Sequence, residues 1–285
     1  MRAADDFNGV PGLVEKAAEI KDVRLRYYAG GEGPPLMLVH GLGGAGVNWV
    51  ELAPRLAPRF RLLVPDLPGH GGSSPLAAAA TLDPYVDRLA RLGEAEGVER
   101  LAIVGHSMGG LIGLRMAVSY PERVRALVLV ASAGIRSSTR EAERFLNVAA
   151  FLRPSTRYSR HRKRIARSPL LRHLVFGYFG ASDPAAMPSG AVEGFLAGLG
   201  LHSDTRSARS ALVQDDPRVD LERVRCPVFL LWGARDNQIT VDDAFEYARR
   251  LGAPLRLVAD CGHLIVGERA DACAHAITEF LDGVR

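Results

Sequence analysis

Six short, uninterrupted apolar runs recur along the chain, and they restrict its fold more than any other feature. Residues 35–40 (PLMLVH), 61–65 (RLLVP), 101–105 (LAIVG), 126–130 (ALVLV), 228–232 (VFLLW) and 255–259 (LRLVA) do not alternate polar with apolar side chains. A strand with one wet face alternates, whereas a strand covered on both faces reads as a continuous run. Between these runs, residues 50–56, 82–96, 110–120, 241–251 and 270–281 space their apolar side chains at three or four, as amphipathic helices do. Alternating strand and helix predicts an α/β fold: a mostly parallel sheet of eight strands with helices on both faces. The opening differs. VRLRYY alternates before Gly30-Gly31, so an antiparallel hairpin is expected around residues 18–28.

The rhythm breaks between residues 135 and 217. That segment has no strong strand run, and Pro154, Pro169, Pro184 and Pro188 divide it into helix-sized pieces. It reads as a helical cap inserted into a core made of residues 1–134 and 218–285. Residues 136–172 hold eleven Lys or Arg and two acids, densest at HRKR (161–164). Attraction of an anionic substrate or a membrane surface is one reading of that charge; a solvated helix face is the other. Phe176-Gly177-Tyr178-Phe179 and Phe195-Leu196 are candidates for the pocket wall or the cap–core contact. Trp49 and Trp232 are expected in the core.

At 285 residues and 47% apolar content the chain suits one large domain or a core with an insertion. A net charge of +4, without zinc-ligand spacing or an RNP-like motif, gives no reason to expect nucleic acid. Cys226, Cys261 and Cys273 form no C-x-x-C and are expected as reduced thiols. The first twenty residues lack an apolar stretch of signal-peptide length, and no run approaches the roughly 20 residues of a spanning helix. The expectation is a soluble, cytoplasmic protein without membrane insertion, either monomer or dimer. No cofactor or metal is expected.

The chemistry starts at Gly105-His106-Ser107-Met108-Gly109, a G-x-S-x-G directly after one apolar run and before a helical pattern. A serine on so sharp a strand-to-helix turn needs small neighbours, and the turn lifts its hydroxyl out at the carboxyl end of the sheet. Ser107 also lies at a helix N-terminus, where developing negative charge is favoured. A serine hydroxyl needs a base, and the base needs an orienting acid. After such a turn these follow in the order Ser, Asp or Glu, His. Asp236, in WGARDNQ just past VFLLW, is the candidate acid; Asp215, Asp216, Asp242 and Asp243 are weaker because none directly follows a buried run. His263, in DCGHLIV after LRLVA, is the candidate base; His275 sits within a helical pattern, and Asp260 lies too close to His263 to orient it. The oxyanion requires N–H donors. Met108, next after the nucleophile, is one; Leu42, in the glycine-rich loop His40-Gly41-Leu42-Gly43-Gly44, is the other. That loop lacks the lysine pattern of a phosphate-binding loop.

Taken in order, HGLGG, DLPGHGGS, GHSMGG, WGARD and GH resemble the α/β-hydrolase superfamily, in its branch of capped bacterial esterases, lipases and carbon–carbon hydrolases. The resemblance runs from about residue 20 to the end, the cap excepted. It implies a triad of Ser107, Asp236 and His263, an oxyanion hole of Leu42 and Met108, and a structural loop at residues 66–73. It therefore gives Asp66 and His70 no catalytic role. Superfamily members that open epoxides or remove halogens carry aspartate at the elbow, and this chain has serine. The expected function is cleavage of a small carboxylic ester through an acyl-enzyme. Two other readings stay open. One is a carbon–carbon hydrolase of a vinylogous diketone acid, although Leu264 stands where many such enzymes carry an aromatic. The other is a ligand receptor without turnover.

Overall fold

The computed structural model describes residues 9–77, 81–135, 156–177 and 180–284. The core elements follow the apolar runs: β1 (Val14–Ile20), β2 (Val23–Gly30), β3 (Pro35–Val39), α1 (Ala53–Leu56), β4 (Arg61–Pro65), α2 (Asp83–Ala95), β5 (Leu101–His106), α3 (Met108–Ser119) and β6 (Val124–Val130). The helices α4 (Thr156–Arg160), α5 (Arg162–Arg167), α6 (Pro169–Phe176), α7 (Ser189–Ala197) and α8 (Arg206–Gln214) come next. The core resumes with β7 (Val228–Gly233), α9 (Val241–Leu251), β8 (Leu255–Val258), α10 (Ile265–Glu268) and α11 (Ala270–Gly283).

The strands form one eight-stranded sheet in the order β1-β2-β4-β3-β5-β6-β7-β8. β2 pairs antiparallel with both β1 and β4, and every other pairing is parallel. The expected hairpin is present, but it starts earlier, at Val14, and turns through Lys21-Asp22 with Lys21 at φ 56°. The polar sequence of β1 hid its length, since most of this edge strand is exposed.

The apolar runs are explained by two cores, one on each face. Met37, Val39, Ile103, Leu127, Leu129, Leu230 and Trp232 meet α2, α3 and α9 on one side. Leu36, Leu38, Val104, Val128, Val130, Phe229 and Leu231 meet α1 and α11 on the other. Side chains alternate across a strand, so covering both faces removes the polar half of the pattern. Trp49 and Trp232 are fully buried. β8 departs from expectation: it lies at the sheet edge, is half-exposed, and leaves Leu257 open to solvent. Of the helical stretch read at residues 50–56, only Ala53–Leu56 is a single α-turn; residues 50–52 are a turn that follows a 3₁₀ turn at Gly46–Trp49. Helix α9 carries the charge pattern its dipole favours, with Asp242 and Asp243 in the first turn, Arg249 and Arg250 in the last, and a left-handed Gly252 beyond it. All three cysteines are free thiols. Among the described residues, no helix is long and apolar enough to cross a membrane.

Between β6 and β7 the described residues are helical, forming an inserted cap with a small core of its own: Ile165, Ala166, Val175, Phe176, Met187, Val192 and Leu196. Phe176 and Phe195 meet edge to face, 6.3 Å apart. Phe195 also lies against Gly267 of the main body, so it serves the cap–core contact. Tyr178 and Phe179 lie outside the described residues. So do residues 136–155 of the basic stretch. The described basic side chains divide in two. Arg172 knits the cap together by donating to the carbonyls of Ala166 (2.8 Å) and Met187 (2.6 Å), and Arg162 is buried. Arg160, Lys163, Arg164 and Arg167 are exposed.

Asp66, at the end of β4, joins the hairpin to two loops. Its side chain is fully buried and accepts from Arg26 Nε (2.6 Å), Gly46 N (2.6 Å) and Gly72 N (2.7 Å). Breaking a buried pair leaves the remaining charge and donors without partners, at about 3–5 kcal/mol. Asp66→Ala is expected to lose stability of that order, read as a lower denaturation midpoint in urea at an unchanged slope.

Candidate functional site

Ser107 occupies the turn between β5 and α3 with φ 54° and ψ −121°, a conformation that L-residues rarely adopt. The turn is held by backbone bonds. Ser107 N donates to Val130 O (3.0 Å), while Ser107 O accepts from Gly110 N (3.0 Å) and Ala133 N (3.1 Å). Packing dictates its glycines. A Cβ on Gly105 would fall 2.3 Å from Gly109 O, and one on Gly109 would fall 2.1 Å from Val39 O. Helix α3 starts two residues earlier than its apolar spacing predicts, with Met108 as its first residue. The N–H of a first-turn residue has no partner within its own helix, so the Met108 amide is placed to serve something else.

The loop after β3 passes directly over this turn. A Cβ on Gly41 would stand 2.9 Å from Ser107 Cβ. Gly44 N closes the loop onto Gly41 O at 3.0 Å, with Gly43 at φ 69°. Leu42 therefore lies within a tight glycine turn beside Ser107, partly buried against the core.

His263 and Asp236 meet as the sequence predicts. His263 Nδ1–H donates to Asp236 Oδ2 at 2.8 Å, and both residues are buried. The other carboxylate oxygen, Oδ1, accepts from the amides of Gln238 and Ile239, each at 2.9 Å. Asp236 is thus fixed by its own loop, in the turn that ends β7. The imidazole of His106, next to Ser107 in the chain, donates from Nε2 to His263 O at 2.9 Å, with the two rings 4.8 Å apart. This link brings the His263 loop up to the serine turn.

The weaker candidates go elsewhere. Asp215 accepts a bidentate ion pair from Arg115 at 2.8–3.0 Å. Asp216 pairs with Arg218 (2.7 Å), and Asp260 pairs with Arg235 (2.5 Å). Asp242 and Asp243 open α9, and His275 is exposed on α11.

Three supporting residues were not evident from the sequence. His106 had a signal, since it occupies the variable position of G-x-S-x-G. Glu268 and His202 had none. Glu268 is buried and accepts from Gly262 N (3.1 Å) and Ser182 N (2.8 Å), tying the histidine loop to the cap. Burial raises its carboxyl above the usual range, and the backbone amides oppose that shift. Gly262 must be glycine here, because a Cβ would fall 2.0 Å from Gly180 O. His202, from the cap, reaches the loop of Leu42.

Several imidazoles around the site are held neutral. Burial pushes His40 and His106 down to about 3, and pushes His70 well below its usual 6.5. His40 shows the corresponding tautomer: Nδ1–H donates to Gly41 O (2.8 Å) and Nε2 accepts from Leu67 N (3.0 Å). In the unfolded chain each regains its ordinary value and takes up a proton below it. The stabilisation from keeping these rings neutral is complete above pH 6.5 and is lost as the pH falls towards 3, since the unfolded state then binds more protons. Each such ring contributes a slope of about 1.4 kcal/mol per pH unit in that window. Urea unfolding at pH 7.5 and at pH 5.0 is expected to show a clearly lower midpoint at the acid pH.

Comparison with known proteins agrees with the fold. Residues 34–270 match the α/β hydrolase fold family. The dihydrolipoyllysine-residue acetyltransferase component of the acetoin cleaving system of Pseudomonas putida is 30% identical over 278 residues, 95% of this chain and 70% of that protein. The 2-hydroxy-6-oxo-6-(2'-aminophenyl)hexa-2,4-dienoic acid hydrolase of Metapseudomonas resinovorans is 28% identical over 283 residues, 94% of this chain and 91% of that protein. Among solved structures, a membrane phospholipase A described as a bacterial virulence factor superposes with a TM-score of 0.75 at 28% identity, covering 96% of this chain and 87% of that one. These names describe three different activities. With the family match spanning most of its length, the chain belongs to the α/β-hydrolase fold family.

Proposed function

We propose that this protein is a serine hydrolase that cleaves a carboxylic ester through an acyl-enzyme. The observation that carries the proposal is the buried 2.8 Å hydrogen bond from His263 Nδ1 to Asp236, joined through His106 to the strained turn of Ser107. Asp236 fixes the imidazole with Nδ1 protonated, which leaves Nε2 as the base. Nε2 takes the Ser107 proton as Oγ attacks the ester carbonyl. The tetrahedral oxyanion is bound by the N–H groups of Leu42 and Met108. Its collapse breaks the carbon–oxygen bond, and the imidazolium returns the proton to the departing alcohol. Water then attacks the acyl-enzyme, giving its proton to His263, and the carboxylic acid leaves as Ser107 recovers its hydrogen.

A second reading has its own support. The dienoic acid hydrolase relative is similar along almost the whole chain, and the triad proposed here would equally serve a carbon–carbon cleavage, with a carbon leaving group taking the proton in place of the alcohol. Leu264 weighs against it. This side chain follows the histidine and packs against the small core of the cap.

Two outcomes are expected. Wild-type protein hydrolyses p-nitrophenyl acetate or butyrate faster than a ring-fission dienoic acid; the reverse order would favour the second reading, and no turnover of either would favour a receptor. Ser107→Ala lowers kcat by about three decades or more while leaving the circular dichroism spectrum and melting temperature near those of wild type. Near-normal turnover by that variant would remove Ser107 from the mechanism.

A further inference from the structure

The loop that carries Leu42 contains three glycines, Gly41, Gly43 and Gly44, and glycine loses more freedom on ordering than any other residue. Left to itself, such a loop has no reason to keep one N–H aimed at one point. In this structure the two carbonyls flanking Leu42 are each held by an imidazole. On the near side, His40 Nδ1–H donates to Gly41 O at 2.8 Å. On the far side, His202 Nε2 lies 2.9 Å from Gly43 O, and because a carbonyl only accepts, Nε2 carries the proton. The other nitrogen, His202 Nδ1, accepts from Gly71 N at 3.0 Å. His40 belongs to the main body. His202 belongs to the cap, between α7 and α8.

Its neighbours seat it firmly. Ser203 N and Asp204 N both donate to Gly69 O at 3.0 Å. Gly69 has φ 76°, and a Cβ there would fall 2.2 Å from Asp204 O, so the cap backbone rests directly on the loop after β4. Further back, Asn48 Nδ2 donates to Gly194 O at 3.2 Å. The stretch from Gly194 to Asp204 thus sits on the segments that follow β3 and β4, and His202 bonds to both, at Gly43 and at Gly71.

We propose that His202 is a positioning residue for the oxyanion hole: its Nε2–H, delivered by the cap, holds the O of the Gly43–Gly44 peptide, the N–H of that same peptide donates to Gly41 O at 3.0 Å, and the Gly41–Leu42 peptide so held is the one that carries the Leu42 N–H. The cap then helps to position the oxyanion hole. The role of Leu42 rests on the serine-hydrolase mechanism above, whereas the clamp on the loop is a structural claim with its own readout.

Three substitutions test it in the full-length protein. His202→Ala removes both bonds. His202→Gln keeps an N–H donor near the position of Nε2 and loses the acceptor. His202→Asn keeps an acceptor near the position of Nδ1 and loses the donor. Removal of an oxyanion donor costs about 10²–10³ in kcat, and loosening one should cost less. For p-nitrophenyl butyrate, the alanine and asparagine variants are expected to lose about ten- to a hundredfold in kcat with KM within about threefold, while glutamine recovers most of the loss. Hydrogen–deuterium exchange of the 40–47 segment is expected to speed up in the alanine and asparagine variants and to stay slow in the glutamine variant. Equal behaviour of glutamine and asparagine, or wild-type exchange in the alanine variant, would overturn the proposal. If wild-type protein shows no ester turnover, the hydrolase reading falls and the exchange rates alone decide the clamp.

Discussion

The arrangement around the site depends on one constraint: the backbone of Ser107 is held where an L-residue is disfavoured. A φ of 54° with ψ −121° costs on the order of 1–3 kcal/mol, and only surrounding structure keeps it. The restraints come from both sides. β6 supplies the carbonyl of Val130 to Ser107 N, and the chain beyond β6 returns Ala133 N to Ser107 O. The glycines at 105 and 109 follow from this, because the space for their side chains is already filled by backbone. Gly109 is packed against the carbonyls of Val39 and His40, so the end of β3 is pressed onto the start of α3. That contact delivers the glycine loop of Leu42 to the serine. Strain at one residue and close approach of a neighbouring strand are two aspects of the same packing.

The cap follows a different physical logic from the sheet. Its small core is separate from the two cores of the body, and many of its attachments to the body are polar or backbone contacts. Glu268 holds Ser182, Gly180 O accepts from His263 N at 2.6 Å, and His202 holds Gly43. Such contacts are directional. They fix position without needing a large apolar area, so the loops they border stay in register although the cap has a core of its own. In the proposed mechanism the reacting groups therefore all belong to the body, and the cap contributes their positioning.

Much of this was legible in the sequence because burial on both faces leaves a strong local trace. The central strands read as apolar runs, and Asp236 and His263, which hydrogen-bond in the structure, each follow such a run. The failures have equally local reasons. β8 reads as buried because LRLV is mostly apolar, yet it lies at an edge that the sequence pattern does not encode. Apolar spacing puts the start of α3 two residues late, since Met108 and Gly109 belong to the turn as much as to the helix. Residues 50–56 carry a helical spacing, but only Ala53–Leu56 form a single α-turn there, after a turn at residues 50–52. Glu268 and His202 act on backbone groups up to 86 and 159 residues away, and no periodicity marks a contact of that kind.

The histidines show how one residue type is given separate roles. His40, His70 and His106 are buried, and their ring N–H groups meet backbone carbonyls: Gly41 O, Pro68 O and His263 O. A carbonyl dipole does not offset the loss of water around an imidazolium, so burial keeps these rings neutral and they serve as rigid hydrogen-bonding links. His263 is equally buried, but its Nδ1–H meets the carboxylate of Asp236. In the proposed mechanism, that carboxylate stabilises the imidazolium formed when Nε2 takes the Ser107 proton. The proposed mechanism needs one ring that accepts a proton among several that must not. The difference lies in the partner, carboxylate against carbonyl, with burial common to all four.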